Sequence, residues 1–203
     1  MKFLMGLLAA LFMVGAVQAQ DADDAKGYFW NMAMRSKVTL DTNMVTEAGD
    51  VKGPAIEAEV TKLENKICTV TYSMAGHKSE TFMASKDGYF CYGLMKEGAF
   101  DPKMRLFKYG AKVGDTWSGW AVKEEGQPEV TVKYVSIGEV KVPAGTYKDV
   151  IHVQAQVAEG PTLDYYFAAK MGMIKMVFSV DGQEQRRLEM SAFVDGALVD
   201  PKK

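Results

Sequence analysis

The chain has 203 residues, 48% of them apolar, with 24 Lys and Arg against 26 Asp and Glu, two histidines and two cysteines. A net charge of −2 gives no electrostatic reason to expect nucleic acid or an anionic membrane as a partner. The small stock of His and Cys leaves little material for a zinc centre or for histidine-based acid–base catalysis.

The chain opens MKFLMGLLAALFMVGAVQAQ, with Lys2 ahead of an uncharged apolar run from Phe3 to Val17 and small residues at Val17 and Ala19. This pattern reads as a secretory signal peptide over residues 1–19, cleaved after Ala19. The apolar run falls short of the roughly 20 residues that span a bilayer, so no transmembrane span is expected after cleavage. No Cys follows the run, so the attachment site of a bacterial lipoprotein is missing. The expected location is the periplasm or the extracellular space. Residues 20–203 are long enough for a single domain with a substantial core.

Next comes DADDAKGYFWNMAM, in which Asp23 or Asp24 is placed to cap a short helical turn carrying Tyr28, Phe29, Met32 and Met34. From Ser36 onward, short alternating strands are expected at about 37–47, 55–63, 66–74, 78–85 and 88–95. They are separated by turn clusters such as EAGD, LENK, MAGH and SKDG. Ile56, Ala58 and Val60 alternate with Glu57 and Glu59, the pattern of a strand with one buried face. Cys68 and Cys91 fall on the third and fifth of these strands. An oxidising compartment invites a disulfide between them. A simple meander would instead hold their Cα atoms about 9.6 Å apart, beyond the reach of about 7 Å that a disulfide allows. A bond with an interrupted meander and two buried free thiols both remain open.

Gly98, Pro102, Gly110 and Gly114 punctuate the stretch from Lys96 to Trp117, which is expected to be a crossover loop. Residues 96–115 are also the one candidate sub-boundary. Further strands are expected at about 116–123, 128–140, 146–157, 162–169, 172–180 and 185–194. In them Ile151, Val153, Ala155 and Val157 alternate against His152, Gln154 and Gln156, and Asp181-Gly182 marks a tight hairpin. Pro143 removes a backbone donor and Gly145 permits positive φ, so VPAGT reads as a corner where pairing stops and restarts. The fold class is all-β, a mostly antiparallel meander forming a strongly curved open sheet, half-barrel or barrel, with at most one short N-terminal helix.

The motifs VGDTWSG, VPAGTYKDV and YYFAAKMGMIKM resemble, in this order, a loose group of secreted bacterial β domains of unknown function. The matching residues are Gly114, Asp115 and Trp117; Val142 to Tyr147; and Tyr166, Phe167, Ala168 and Gly172 to Lys175. The resemblance covers mainly residues 106–193, and the front half agrees in strand rhythm. It departs at Ala169 and Lys170, where such domains often carry Pro-Gly. Some members are similar to the half-barrel carriers of bacterial lipoproteins, which implies a curved sheet with an apolar concave face. It does not imply an activity.

No GxSxG elbow, HExxH, CxxC or phosphate-cradling glycine loop is present. Met171 and Met173 share a face and Met176 the other if their strand is regular, a poor arrangement for a copper site. No metal or other cofactor is expected, and methionine is read as core or pocket filler. The aromatics are more informative. Trp117 and Trp120 fall on opposite faces of one strand, and Tyr165 and Tyr166 on opposite faces of another, so both sides of the sheet are covered in part. The candidate ligand-binding residues are Trp117, Trp120, Tyr165, Tyr166 and Met173, around a concave face that is open or plugged by the N-terminal segment. The expected function is noncatalytic, binding an apolar or lipid-like ligand. The alternatives are an envelope interaction module that meets a partner protein and an enzyme with a dispersed site.

Overall fold

A computed structural model describes residues 35–64, 67–73, 80–85, 88–92, 104–120 and 125–196. The expected leader and N-terminal helical turn, and the turns expected about residues 65–66, 74–79 and 86–87, lie outside the described residues. The described residues contain no α-helix. They form thirteen strands: β1 (Lys37–Thr46), β2 (Gly49–Lys52), β3 (Ile56–Glu64), β4 (Ile67–Tyr72), β5 (Glu80–Ser85), β6 (Gly88–Tyr92), β7 (Met104–Lys108), β8 (Thr116–Ser118), β9 (Val130–Val142), β10 (Gly145–Val157), β11 (Thr162–Ala168), β12 (Gly172–Val180) and β13 (Gln183–Val194).

All thirteen belong to one antiparallel sheet, in the order β7-β6-β5-β4-β3-β1-β13-β12-β11-β10-β9-β8, with β2 extending β1 as a short hairpin. Two meanders, front and back, are thus joined by the pairing of β1 with β13. The loop expected at 96–115 differs from the structure, because residues 104–108 form β7 and pair with β6. Its glycines and proline mark the ends of a strand too short to show alternation. The strand expected to run to residue 123 ends as β8 at Ser118, and the next residue, Gly119, lies tight against Val130 with its N–H donating to Val130 O at 2.7 Å.

The sheet is open, since β7 and β8 share no ladder. It is curved strongly enough that its two edges touch at a single point. There Arg105 N–H donates to Gly119 O at 2.6 Å, Trp117 Nε1 donates to Arg105 O at 3.2 Å, and Met104 and Trp120 form an isolated bridge. This curl gives the sheet an inner face, and the buried side chains line it: Val38, Leu40, Ala58, Val60, Val70, Phe107, Val132, Ile151, Val153, Phe167, Ile174 and Met190. At the meeting edges Phe107 packs edge-on against Trp117, Tyr134 and Tyr109, with ring centroids 5.9, 5.3 and 6.3 Å apart. Aromatic rings at these spacings stabilise a core beyond their buried area.

Turn chemistry sets the back meander. Asp181 (φ 51°) and Gly182 (φ 74°) both take the left-handed conformation that a two-residue hairpin requires. At the corner, Pro143 and Ala144 form the turn and pairing restarts at Gly145, whose φ is 145°. Lys170, at the position where the resemblance leads one to expect glycine, adopts φ 66°, so the turn forms without the residue that enters it most easily.

Bulges shape the long β9–β10 hairpin. One at Lys148-Asp149, with Asp149 at φ 54°, and another between His152 and Val153 add local twist. The hairpin bends until Ala144 N–H reaches Met190 O on β13, at 2.9 Å. β12 pairs with β13 only from Lys175↔Glu189 to Val180↔Gln183, so beyond that ladder the hairpin tip lies beside β13 in place of β12.

Candidate ligand-binding face

Two contiguous rows of inner-face side chains cross the middle of the sheet. The ladders align Thr42, Leu188, Met176, Tyr165 and Val153 in one row, and Met44, Arg186, Phe178, Leu163 and Ala155 in the next. Val153, Ala155, Leu188 and Thr42 are buried. Tyr165, Met176, Leu163 and Phe178 are only half-buried, and Met44 at the end of its row is 44% exposed. The inner face is therefore packed at Thr42 and Leu188 on one side and at Val153 and Ala155 on the other, and accessible across β11 and β12 and at Met44, the end of the second row. Tyr165 stacks on Phe167 there, with ring centroids 6.2 Å apart.

The second row holds a charge. Arg186 faces inward because the alternation that buries Leu188 and Met190 also turns residue 186 to their side. Its Nε is buried with no hydrogen-bond partner among the described residues, and so is the Oγ1 of Thr42, a residue 3% exposed on the neighbouring strand. Thr42 is held close: its backbone carbonyl accepts from Gly53 N–H at 2.8 Å, and a Cβ at Gly53 would come within 3.3 Å of its methyl group.

The outer face of the same strands is built differently. His152, Tyr166, Lys175, Glu189 and Asp41 form one cross-strand row. His152 Nε2 lies 2.6 Å from Asp164 Oδ1, which also accepts from Gln154 Nε2 at 3.0 Å. The Tyr166 ring stacks on the imidazole at 4.3 Å, and Lys175 Nζ lies 5.8 Å from the centre of the same ring while donating to Glu189 Oε1 at 2.9 Å. Burial first, then the carboxylates of Asp164 and Glu184, push the Tyr166 hydroxyl above its usual range. Arg187 contacts Glu184 at 2.7 Å, Asp50 at 3.4 Å and Glu189 at 3.9 Å; Asp41 accepts from Ser191 at 2.9 Å and Lys52 at 3.2 Å. Charges in this row have counter-charges, and the His152–Asp164 pair is mostly shielded, with side chains 16% and 15% exposed. Such an arrangement locks strand register. A His–Asp pair also forms part of hydrolytic triads, but here the ring is covered by Tyr166.

The five expected ligand residues do not converge. Tyr165 lines the accessible inner face, and Met173 is buried beside it, opposite Phe167. Trp117 is core, with its indole N–H bonded to Arg105 O, and Trp120 packs at the end of β8 with its own bonded to Pro128 O at 2.8 Å. Tyr166 belongs to the outer row. The methionines differ from expectation too. A register shift between Tyr166 and Phe167 leaves Ile174 as the extra residue, so Met173 and Met176 share the inner face. A bulge reverses parity, and regular alternation cannot anticipate it.

Cys68 and Cys91 both stand opposite Phe82, one on each side of β5. Cys68 is buried as a free thiol, and burial pushes its pKa up to about 12. Among the described residues no group of three or more His, Cys, Asp and Glu is placed to hold a metal ion.

Sequence reasoning missed Asp164, Thr42 and the uncompensated state of Arg186. Alternation alone carried a signal for the first two, since Asp164 shares the parity of Tyr166 and Thr42 that of Leu40.

No protein-family model and no curated protein sequence matches the chain. Two solved structures share its fold. One, from Bacteroides fragilis NCTC 9343, is described provisionally as an exported protein with a YmcC-like fold; it is 9% identical, with a TM-score of 0.50 over 83% of this chain and 100% of that one. The other, from Parabacteroides distasonis ATCC 8503, is described provisionally as a lipoprotein; it is 7% identical, with a TM-score of 0.51 over 83% of this chain and 99% of that one.

Proposed function

We propose that this is an exported, noncatalytic envelope protein that holds an apolar or lipid-like ligand on the inner face of its sheet. One observation carries the reading: Leu163, Tyr165, Met176 and Phe178 form a continuous half-buried apolar patch bordered by buried Val153 and Ala155 on β10 and by buried Leu188 on β13. A sheet that needed its inner face only as core would bury the middle as deeply as the edges, because exposed contiguous apolar surface is costly. Export is supported by the leader at residues 1–19 and by the provisional descriptions of the two proteins that share the fold.

Native mass spectrometry and organic extraction of protein purified from the periplasm test the proposal, with a co-purifying lipid mass as the expected result. Absence of a bound molecule together with no saturable uptake of a fluorescent fatty acid would overturn it. A broad hydrolase screen of the wild type and of His152→Ala tests the noncatalytic part. Activity lost on that substitution would replace this proposal with an enzyme.

A further inference from the structure

The two arginines at the centre of β13 are adjacent in sequence and opposite in circumstance. Arg187, on the outer face, is surrounded by the carboxylates of Glu184, Glu189 and Asp50. Arg186, on the inner face, makes no ion pair or hydrogen bond among the described residues; its Nε is buried, and the register sets Met44 and Phe178 opposite it on the neighbouring strands. A guanidinium cannot escape its charge by losing a proton, and a buried N–H of it that meets no acceptor is costly. A second polar atom in the same condition stands close by: the buried Thr42 Oγ1. Thr42 pairs with Leu188 and Met44 with Arg186, which makes Thr42 and Arg186 diagonal neighbours on one face, about 7–8 Å apart along the backbone.

We infer that Arg186 and Thr42 form the head-group subsite for an amphiphile with an acyl chain and an anionic head. This rests on the inner face holding an apolar chain, and it specifies which kind. The anionic oxygens accept from the guanidinium, whose fork matches a carboxylate or phosphate, and from the Thr42 hydroxyl. The acyl chain lies along Phe178, Leu163, Met176 and Tyr165. Arg186 stands in the same row as the exposed Met44, so the head group sits at that accessible end and the chain points across β12 and β11 toward the buried Val153 and Ala155 of β10. Charge complementarity selects the occupant, because a neutral lipid or an apolar peptide segment would leave both groups unsatisfied.

The test uses the mature protein, residues 20–203, with cis-parinaric acid and its methyl ester as fluorescent probes, at about pH 8 where the free acid is ionised. Wild type is expected to bind the acid at least about tenfold more tightly than the ester, as a charge-assisted hydrogen bond predicts. Arg186→Met should abolish that preference, with acid binding weakened to the level of the ester, and Thr42→Val should weaken acid binding by roughly two- to tenfold. The thermal midpoint of unliganded Arg186→Met should equal or exceed that of wild type, since the arginine serves the ligand and not the fold. Equal binding of acid and ester, unchanged by Arg186→Met, would overturn this inference and leave the apolar-ligand reading standing. Binding of neither probe would overturn both. A lowered midpoint with the acid preference retained would assign Arg186 a structural role and overturn the subsite.

Discussion

Ala144, at the tip of the β9–β10 hairpin, donates its backbone N–H to the carbonyl of Met190 on β13 across 2.9 Å. In the order of the sheet three strands separate β9 from β13, so this bond records how far the bulged hairpin has bent. It also secures the inner face at the end opposite Met44 and Arg186. Hairpin tips ordinarily exchange their amide protons quickly. The Ala144 amide should instead exchange as slowly as the ladder amides of β10. Ala144→Pro, which removes the donor, should cost about 1–3 kcal/mol, read as a lower denaturation midpoint. Fast exchange at Ala144 with an unchanged midpoint in the variant would show that the tip is not docked.

Gly119 marks where the two edges of the sheet meet. A Cβ there would stand 2.5 Å from Val130 Cγ1 and 2.9 Å from its Cβ, while the backbone on both sides is committed to Arg105 N–H and Val130 O. Gly119→Ala should destabilise the protein by about 1–3 kcal/mol through overpacking. Adding Val130→Ala should recover part of that loss, although Val130→Ala alone destabilises. A double variant no more stable than Gly119→Ala would rule out the steric explanation.

Asp164 joins β11 to β10 by accepting from both His152 and Gln154. Asp164→Ala leaves those two half-buried donors without an acceptor and should cost about 1–3 kcal/mol. A double-mutant cycle with His152→Ala should give a coupling of at least about 0.5 kcal/mol. Additive losses would mean that the pair does not hold the strands together.

Burial raises the Cys68 thiol from an ordinary value of 9.0 to about 12. The folded protein should therefore resist alkylation by iodoacetamide at pH 9, and react once unfolded. The sign for stability follows from proton binding. Between pH 9 and about 12 the unfolded chain releases the thiol proton while the folded chain keeps it, so stability falls as pH rises through this window. In Cys68→Val that part of the decline should disappear. Rapid native-state labelling would show that Cys68 is accessible.

Local chemistry made much of the architecture legible. Asp181-Gly182 and Val142-Pro143-Ala144-Gly145 specify their turns through backbone dihedrals that few other residues tolerate, and those turns define the longest hairpins. Ile151, Val153 and Ala155 identify the inner face of β10 because alternation is a property of the strand itself. β7 was hidden, since five residues between turn signals are too few to show a period, yet its Phe107 anchors the aromatic cluster at the meeting edges. Met176 was assigned to the wrong side relative to Met173, since a single bulge inverts parity and is set by the partner strand.

The candidate site was legible only in parts. The amino-acid sequence determined an all-β meander, the inward parity of Arg186 and Thr42 and the outward parity of Arg187, because each depends on neighbours within a strand. The tertiary structure alone decided that, among the described residues, Arg187 meets three carboxylates while Arg186 meets none, that Thr42 and Arg186 share one face of paired strands, and that Asp164 lies beside His152. Those relationships depend on cross-strand register between segments as far apart as β1 and β13. Register between distant strands is set by the packing of the whole inner face, and no single stretch of sequence contains it.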